Sequence, residues 1–428
     1  MLERNVTECA ARMRRFLPED IINPIGLETA FSQRMRKLTP VRAVWTFTTA
    51  LGSGTVNTLA DIVRLFGDLT GDTIQYKPFH DRLSNPTFPE LMRSTLSSVM
   101  GKLTLPVLSG KSRHLKAFSD ILVQDGSSFA VNDALKEAFP GRFTKVSPAA
   151  VEVHCTYSLF QAQAVEIGLS PDKDAERTYL PDPASLKRKL ILFDRGYTCY
   201  EYGTAVKQAG GDFIGRAKDK QFNPTILKCF RGFACKNALV GARLKEVQLP
   251  KCNVDLLIEG EDNHGKKHQV RLVLFYVKRR AVHLFLLTSL SPQQYPPNIV
   301  ASLYRLRWQV ELFFKECKSY TKLKKFQTKD QHIVEGLIWA SMLAILVRRF
   351  LLHSAFSNTG KRVAHFIAAA MSWTFFRSLG RAVLLEVHAL KKVLTEVLRF
   401  LRETAERTNP HRKDTFAFLY ITPRKAYG

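Results

Sequence analysis

The stretch Tyr304-Arg305-Leu306-Arg307-Trp308-Gln309-Val310-Glu311-Leu312-Phe313-Phe314-Lys315-Glu316-Cys317-Lys318 decides how the chain is read. Its apolar spacing predicts one long helix from Pro297 to about Tyr320. With Glu311 set at 0° and about 100° per residue, Leu303, Leu306, Val310, Phe313, Phe314 and Cys317 gather between about −60° and −160°. That face belongs to a core. Tyr304, Arg307, Lys315 and Lys318 fall within about 40° of Glu311, and Trp308 near +60°. A single acid inside a basic and aromatic stripe suits a metal-binding carboxylate whose neighbours grip phosphates. Trp308 reads either as an aromatic packed at the rim or as a platform for an unpaired base.

Two aspartates upstream complete a set. Asp125 follows the strand-like run Phe118–Gln124 and precedes Gly126. Asp194 follows the apolar run Leu190–Phe193, with Gly196 two residues on. Both are expected at strand C-termini, where glycine permits a sharp exit and where open α/β sheets bind ligands. Either Asp alone reads as an ordinary turn former. If their strands are neighbours, the two carboxylates repel and call for a cation, and hard oxygen donors suit Mg²⁺ or Mn²⁺.

The spacing Tyr-x2-Arg-x3-Glu-x6-Lys, met by Tyr304, Arg307, Glu311 and Lys318, resembles the YREK motif of bacterial insertion-sequence transposases of the insertion-sequence-four type. Asp125 in Asp-Gly-Ser and Asp194 in Asp-Arg-Gly-Tyr resemble that family's first two catalytic aspartates. The likeness runs over about residues 115–345. It implies an RNase H-like core in which Asp125, Asp194 and Glu311 form a DDE triad holding two Mg²⁺ or Mn²⁺ ions. It also implies cut-and-paste transposition at terminal inverted repeats, on double-stranded DNA, with a homodimer holding paired ends. The phosphodiester chemistry is compatible, because two ions can activate a nucleophile and stabilise a leaving oxygen. Two rivals share the fold: an RNase H-like nuclease without strand transfer, and a catalytically silent DNA-binding descendant.

Outward from these motifs, the fold class reads as α/β: an RNase H-like mixed sheet with a β-rich insertion, flanked by helical N- and C-terminal regions. Residues 1–110 read as a helical DNA-binding region, followed by a Gly/Ser/Lys-rich boundary at 109–116. Residues 115–216 read as the first part of the core. The insertion occupies 217–295, with strands at Val247–Leu249, Val254–Ile258, Gln269–Tyr276 and Val282–Leu287. The catalytic helix and remaining core occupy 296–345, and 346–428 is a helical, basic C-terminal region.

Charge fits this reading. Lys and Arg number 64 against 38 Asp and Glu, a net of +26, which favours a polyanionic partner. Hydrophobic residues at 45% exclude a mainly disordered chain. Seven scattered cysteines without a Cys-x-x-Cys pair argue against a disulfide framework or structural zinc and for a reducing compartment. The N-terminal stretch carries charges inside its apolar part and does not read as a signal peptide. The longest apolar run, Leu337–Val347, is too short to span a bilayer and reads as a buried helix ending at Arg348-Arg349. The expected setting is the bacterial cytoplasm, at the nucleoid, with no membrane partner. His154, His332 and His365 read as core or surface histidines, and Cys229 and Cys235 as chance placements. Lys324, Lys325 and Lys329 read as a continuation of the basic run along a DNA backbone.

Overall fold

The computed structural model describes residues 2–100, 102–103, 114–217, 222–234, 239–320, 327–357, 359 and 363–406. Most of the 109–116 boundary, Cys235, Lys324 and Lys325 lie outside the described residues.

Six helices come first: α1 Leu2–Phe16, α2 Glu19–Glu28, α3 Pro40–Ser53, α4 Leu59–Thr70, α5 Tyr76–Leu83 and α6 Thr87–Val99. Their ends are written locally. Thr39 caps α3 with Pro40 at its first position, and Thr58 and Asp61 form a reciprocal capping box on α4. Gly54 and Gly71 end these two helices in the left-handed conformation.

The sheet follows: β1 Asp120–Ala130, β2 Ala150–Ser158, β3 Gln163–Pro171, β4 Lys189–Phe193, helix α7 Tyr200–Gln208, β5 Asp212–Arg216, β6 Thr225–Arg231, β7 Val254–Glu261, β8 Lys267–Val277 and β9 Val282–Thr288. Among the described residues these strands form one nine-stranded sheet in the order β3-β2-β1-β4-β5-β9-β8-β7-β6. β3, β2 and β1 are antiparallel, and β4 and β5 run parallel to β1. That is the RNase H-like arrangement expected of the core. The β-rich segment is not a separate sheet, because β9 pairs antiparallel with β5 and carries the ladder outward. Val247–Leu249 is not a strand; β6, at Thr225–Arg231, supplies the outer edge instead.

The last helices are α8 Pro297–Arg305, α9 Trp308–Tyr320, α10 Gln331–Phe356, α11 His365–Ala370, α12 Phe376–Leu384 and α13 Leu390–Thr404. α10 is the hub. It packs on α3, α6, α1 and α13, while α1 packs directly on α13. Val6, Cys9 and Met13 of α1 share one core with Leu394, Leu398 and Leu401 of α13. Asn5 Nδ2 donates to the Ser354 carbonyl on α10 at 2.8 Å. The helices from the two ends of the chain therefore form one packed body.

Strand alternation divides the sheet's faces. Ile121, Val123, Leu190 and Leu192 join the helical core, whereas Leu122, Ile191 and Phe193 join a second core with α7 residues and the outer strands. Arg348 and Arg349 end the apolar run without reaching solvent, since α10 continues to Phe356. Both are buried on Glu316 of α9. Arg348 donates to Oε1 at 2.6 and 3.1 Å, and Arg349 to Oε2 at 2.6 and 3.1 Å. Arg349 also donates to the Tyr157 hydroxyl at 2.7 Å and to the Ala162 carbonyl. This cluster ties α9 to α10 and to the sheet.

Candidate active site

Asp125 sits in the middle of β1, not at its end as expected; β1 runs on five residues because β2 keeps pairing with it. Its neighbour β4 is shorter. The parallel register stops at Gln124↔Phe193, so Asp194 is the first residue past β4 and stands beside Asp125. Alternation places Asp125 on the face of Ile121 and Val123, where α9 packs against β1.

The single long helix is interrupted. Leu306 and Arg307 hydrogen-bond to Leu303 and Tyr304, three residues back, as do Gln309 and Val310 to Leu306 and Arg307. This tight turn separates α8 from α9. No glycine or proline marks it; it coincides with two tertiary contacts. Tyr304 is buried and its hydroxyl donates to Asp194 Oδ1 at 3.2 Å. Arg307 donates to Asp125 Oδ2 at 2.9 Å and, through its other terminal nitrogen, to Glu311 Oε1. Tyr304 and Arg307, expected on the stripe beside Glu311, both point into the acids. Trp308 is 54% exposed, and Lys315 and Lys318 are exposed, with the Lys318 ammonium 5.2 Å from the centre of the Phe129 ring. Asp125, Asp194, Glu311, Tyr304 and Arg307 are therefore brought together, while Trp308, Lys315 and Lys318 line the solvent side of the same helix.

The electrostatics are short of positive charge. Burial pushes the Asp125 carboxyl up; Arg307 pulls it down, Asp194 and Glu311 push it up again, and the net is about 7. Burial and then Asp194 raise the Tyr304 phenol, so it stays a protonated donor. Three carboxylates face one guanidinium, and carboxylate oxygens are the donors Mg²⁺ and Mn²⁺ prefer. Among the described residues no group of three or more His, Cys, Asp or Glu side chains is arranged to hold a metal ion. Arg307 lies between Asp125 and Glu311, bonded to both, and draws two of the three acids onto itself.

Behind Asp125 lies a polar layer that periodicity gave no hint of. Glu152, His154, Thr156 and Ser170 are buried on the opposite face of the sheet, with Tyr197 against them. Glu152 pairs with Arg142, and its carboxyl is pushed to about 7 by burial and then by Glu176. Gly126 is the one sequence mark of this layer. A Cβ there would lie 2.4 Å from Glu152 Oε1 and 2.8 Å from the Tyr197 hydroxyl. Close approach, not a sharp exit from the strand, is what the glycine permits. His154 is a core histidine, stacked on Tyr179 with ring centres 3.8 Å apart.

The mixed sheet brings an aspartate on β1, one just past β4 and a glutamate on α9 together, and the chain belongs to the DDE transposases. Residues 116–347 match the family described as Transposase DDE domain. The chain is similar to the transposase for insertion sequence element IS231C of Bacillus thuringiensis subsp. berliner, at 20% identity over 94% of this chain and 92% of that one. It is also similar to the transposase for insertion sequence element IS421 of Escherichia coli, at 40% identity over 45% of this chain and 58% of that one. A solved piggyBac transposase synaptic complex with hairpin DNA aligns over 92% of this chain and 85% of that one, with a TM-score of 0.48 and 13% identity. The chain is accordingly a transposase of the insertion-sequence kind, an enzyme of DNA recombination. Among the described residues no helix is long and apolar enough to cross a membrane.

Proposed function

We propose that this protein binds the terminal inverted repeats of an insertion sequence as double-stranded DNA, cleaves its ends and joins the freed 3′-hydroxyls to target DNA. The observation that carries the reading is the convergence of Asp125 on β1, Asp194 just past β4 and Glu311 on α9, with Arg307 bonded to Asp125 and Glu311 and Tyr304 to Asp194. Asp125, Asp194 and Glu311 would hold two divalent ions, Mg²⁺ or Mn²⁺. Such ions supply an activated nucleophile and a stabilised leaving oxygen. Tyr304 fixes the Asp194 carboxylate through its hydroxyl. Arg307 compensates Asp125 and Glu311 in the bare site and, once released from them, faces the phosphates of the reacting strand. Lys315 and Lys318 position that strand's backbone, and Trp308 offers a stacking surface for an unpaired base.

The remaining parts follow from charge and packing. Helices α1–α6 bind the element's ends, two copies of the chain pair two ends, and the work is done at the nucleoid in the bacterial cytoplasm. The named insertion-sequence relatives support the transposition reading. The test is metal-dependent cleavage of a labelled terminal-repeat duplex by Asp125→Ala, Asp194→Ala and Glu311→Ala. Each should abolish cleavage and spare end binding. Any one of them cleaving within about tenfold of wild type removes that residue from the metal site.

A further inference from the structure

The backbone ladder between β1 and β4 ends at Gln124↔Phe193, so it does not hold Asp194 against Asp125. Something else must set the spacing of the two aspartates. The turn that begins at Asp194 is closed by the Tyr197 N–H, which donates to the Asp194 carbonyl at 3.1 Å, and the Thr198 hydroxyl ties it to β5 by donating to the Arg216 carbonyl at 2.7 Å. From this turn the Tyr197 side chain, 1% exposed, passes behind β1 into the space left by Gly126, the residue after Asp125. Its hydroxyl lies 3.2 Å from His154 Nδ1 on β2.

One assignment of the protons satisfies this chain. The Ser170 hydroxyl donates to the Pro171 carbonyl at 3.0 Å, so at 2.9 Å it accepts from His154 Nε2. His154 is neutral, because burial and then Arg142 hold its imidazole down at about 4. In the tautomer protonated at Nε2, Nδ1 accepts and Tyr197 donates. On the same face Gln124 Oε1 accepts from Thr156 at 2.7 Å. Gln124 and Gly126 bracket Asp125 in sequence. The relay thus runs beneath the strand beside Asp125 and ends in the turn that carries Asp194.

We propose that Tyr197 is a positioning residue that sets the spacing of Asp125 and Asp194 through its hydrogen bond to His154, and so sets the affinity of the site for divalent ions. The inference rests on the proposed metal role of the triad. Removing the hydroxyl leaves His154 Nδ1 buried without its partner and loosens the Asp194 turn. Partners behind metal-binding carboxylates change metal affinity by about tenfold to a hundredfold when mutated.

The experiment uses the full chain on a short duplex carrying the inverted repeat that borders its reading frame, with Mn²⁺ binding followed by paramagnetic resonance. Tyr197→Phe keeps the ring and should weaken Mn²⁺ binding at least about tenfold, with end binding unchanged. His154 gives a paired control. Asn places an amide oxygen where Nδ1 was, and Gln places its amide where Nε2 was. His154→Asn should keep Mn²⁺ affinity near wild type, and His154→Gln should match Tyr197→Phe. A residue that merely fills space would not separate Asn from Gln, and thermal melts show whether each variant is folded. Wild-type Mn²⁺ affinity in a folded Tyr197→Phe, or equal loss in the two His154 variants, overturns the inference. Should Asp125→Ala bind Mn²⁺ as wild type does, the triad's metal role fails instead.

Discussion

Replacing Glu316 by Gln tests the buried ion cluster most directly. The substitution keeps shape and volume and removes one charge. Glu316, Arg348 and Arg349 have side chains between 1% and 4% exposed, so solvent screening offers little relief. Burial pushes the Glu316 carboxyl up, but Arg349 and Arg348 overcome it and hold it below the ordinary glutamate range. Four hydrogen bonds from two guanidinium groups end on its two oxygens. Without that charge two cations stay buried with no counter-ion, which costs about 3–5 kcal/mol. At about 2 °C per kcal/mol for a large unit, the melting temperature should fall by about 6–10 °C, read by circular dichroism. A triple replacement, Glu316→Leu with Arg348→Met and Arg349→Met, should recover much of this loss, since a well-packed apolar cluster avoids desolvating charge. Recovery should be incomplete by about 1–3 kcal/mol, because the Tyr157 hydroxyl and the Ala162 carbonyl lose the Arg349 donor. A fall of less than about 2 °C for Glu316→Gln would refute the reasoning and show that the arginines find other compensation.

Three further outcomes follow from the site. Gly126→Ala should lose about 1–3 kcal/mol in urea unfolding and most cleavage activity, because its methyl meets Glu152 and Tyr197; a variant that unfolds like wild type would mean those groups yield freely. Arg307→Ala should melt lower than wild type without metal and gain more from added Mg²⁺, since ions can then compensate Asp125 and Glu311; equal Mg²⁺ increments in both proteins would contradict this. His353→Phe concerns pH. Burial and then Arg349 depress the His353 imidazole to about 3 from an ordinary 6.5, and its Nε2 has no hydrogen-bond partner. The unfolded chain therefore binds a proton that the native one refuses, so stability present above pH 6.5 is lost as pH falls toward 3. Denaturant titrations at pH 7, 5.5 and 4.5 should show a shallower acid-side loss in the variant, and parallel curves would exclude His353 as a contributor.

The parts of the site that were legible in sequence are those where chemistry and period coincide. Leu190–Phe193 is a short apolar strand followed by an acid, and Glu311 lies at the edge of a clear helical face. The break between α8 and α9 was not legible, because Leu306 and Arg307 keep the apolar period and the turn coincides with contacts to residues more than 100 positions away. The Tyr197–His154 layer escaped for a related reason. Thr156, His154 and Glu152 alternate along β2 as polar residues would on a solvated face, yet the loops bearing Arg142 and Tyr179 cover them. Arg348 and Arg349 looked like the end of a buried helix, since charge at a helix end ordinarily means water; here one glutamate on α9 holds both inside.

The packing of α1 against α13 has a consequence for when the molecule becomes complete. Val6, Cys9 and Met13 leave the ribosome almost 400 residues before the leucines that cover them. A fragment ending near residue 110 would present those side chains, and the α10-facing sides of α3 and α6, to water. Domains generally close as they emerge, N-terminal first. This helical body cannot, because its central helix and its last layer are synthesised after the catalytic strands. A chain interrupted before α13 is thus expected to expose apolar surface and to be cleared by proteolysis, so that only fully translated copies accumulate in a state able to act on DNA.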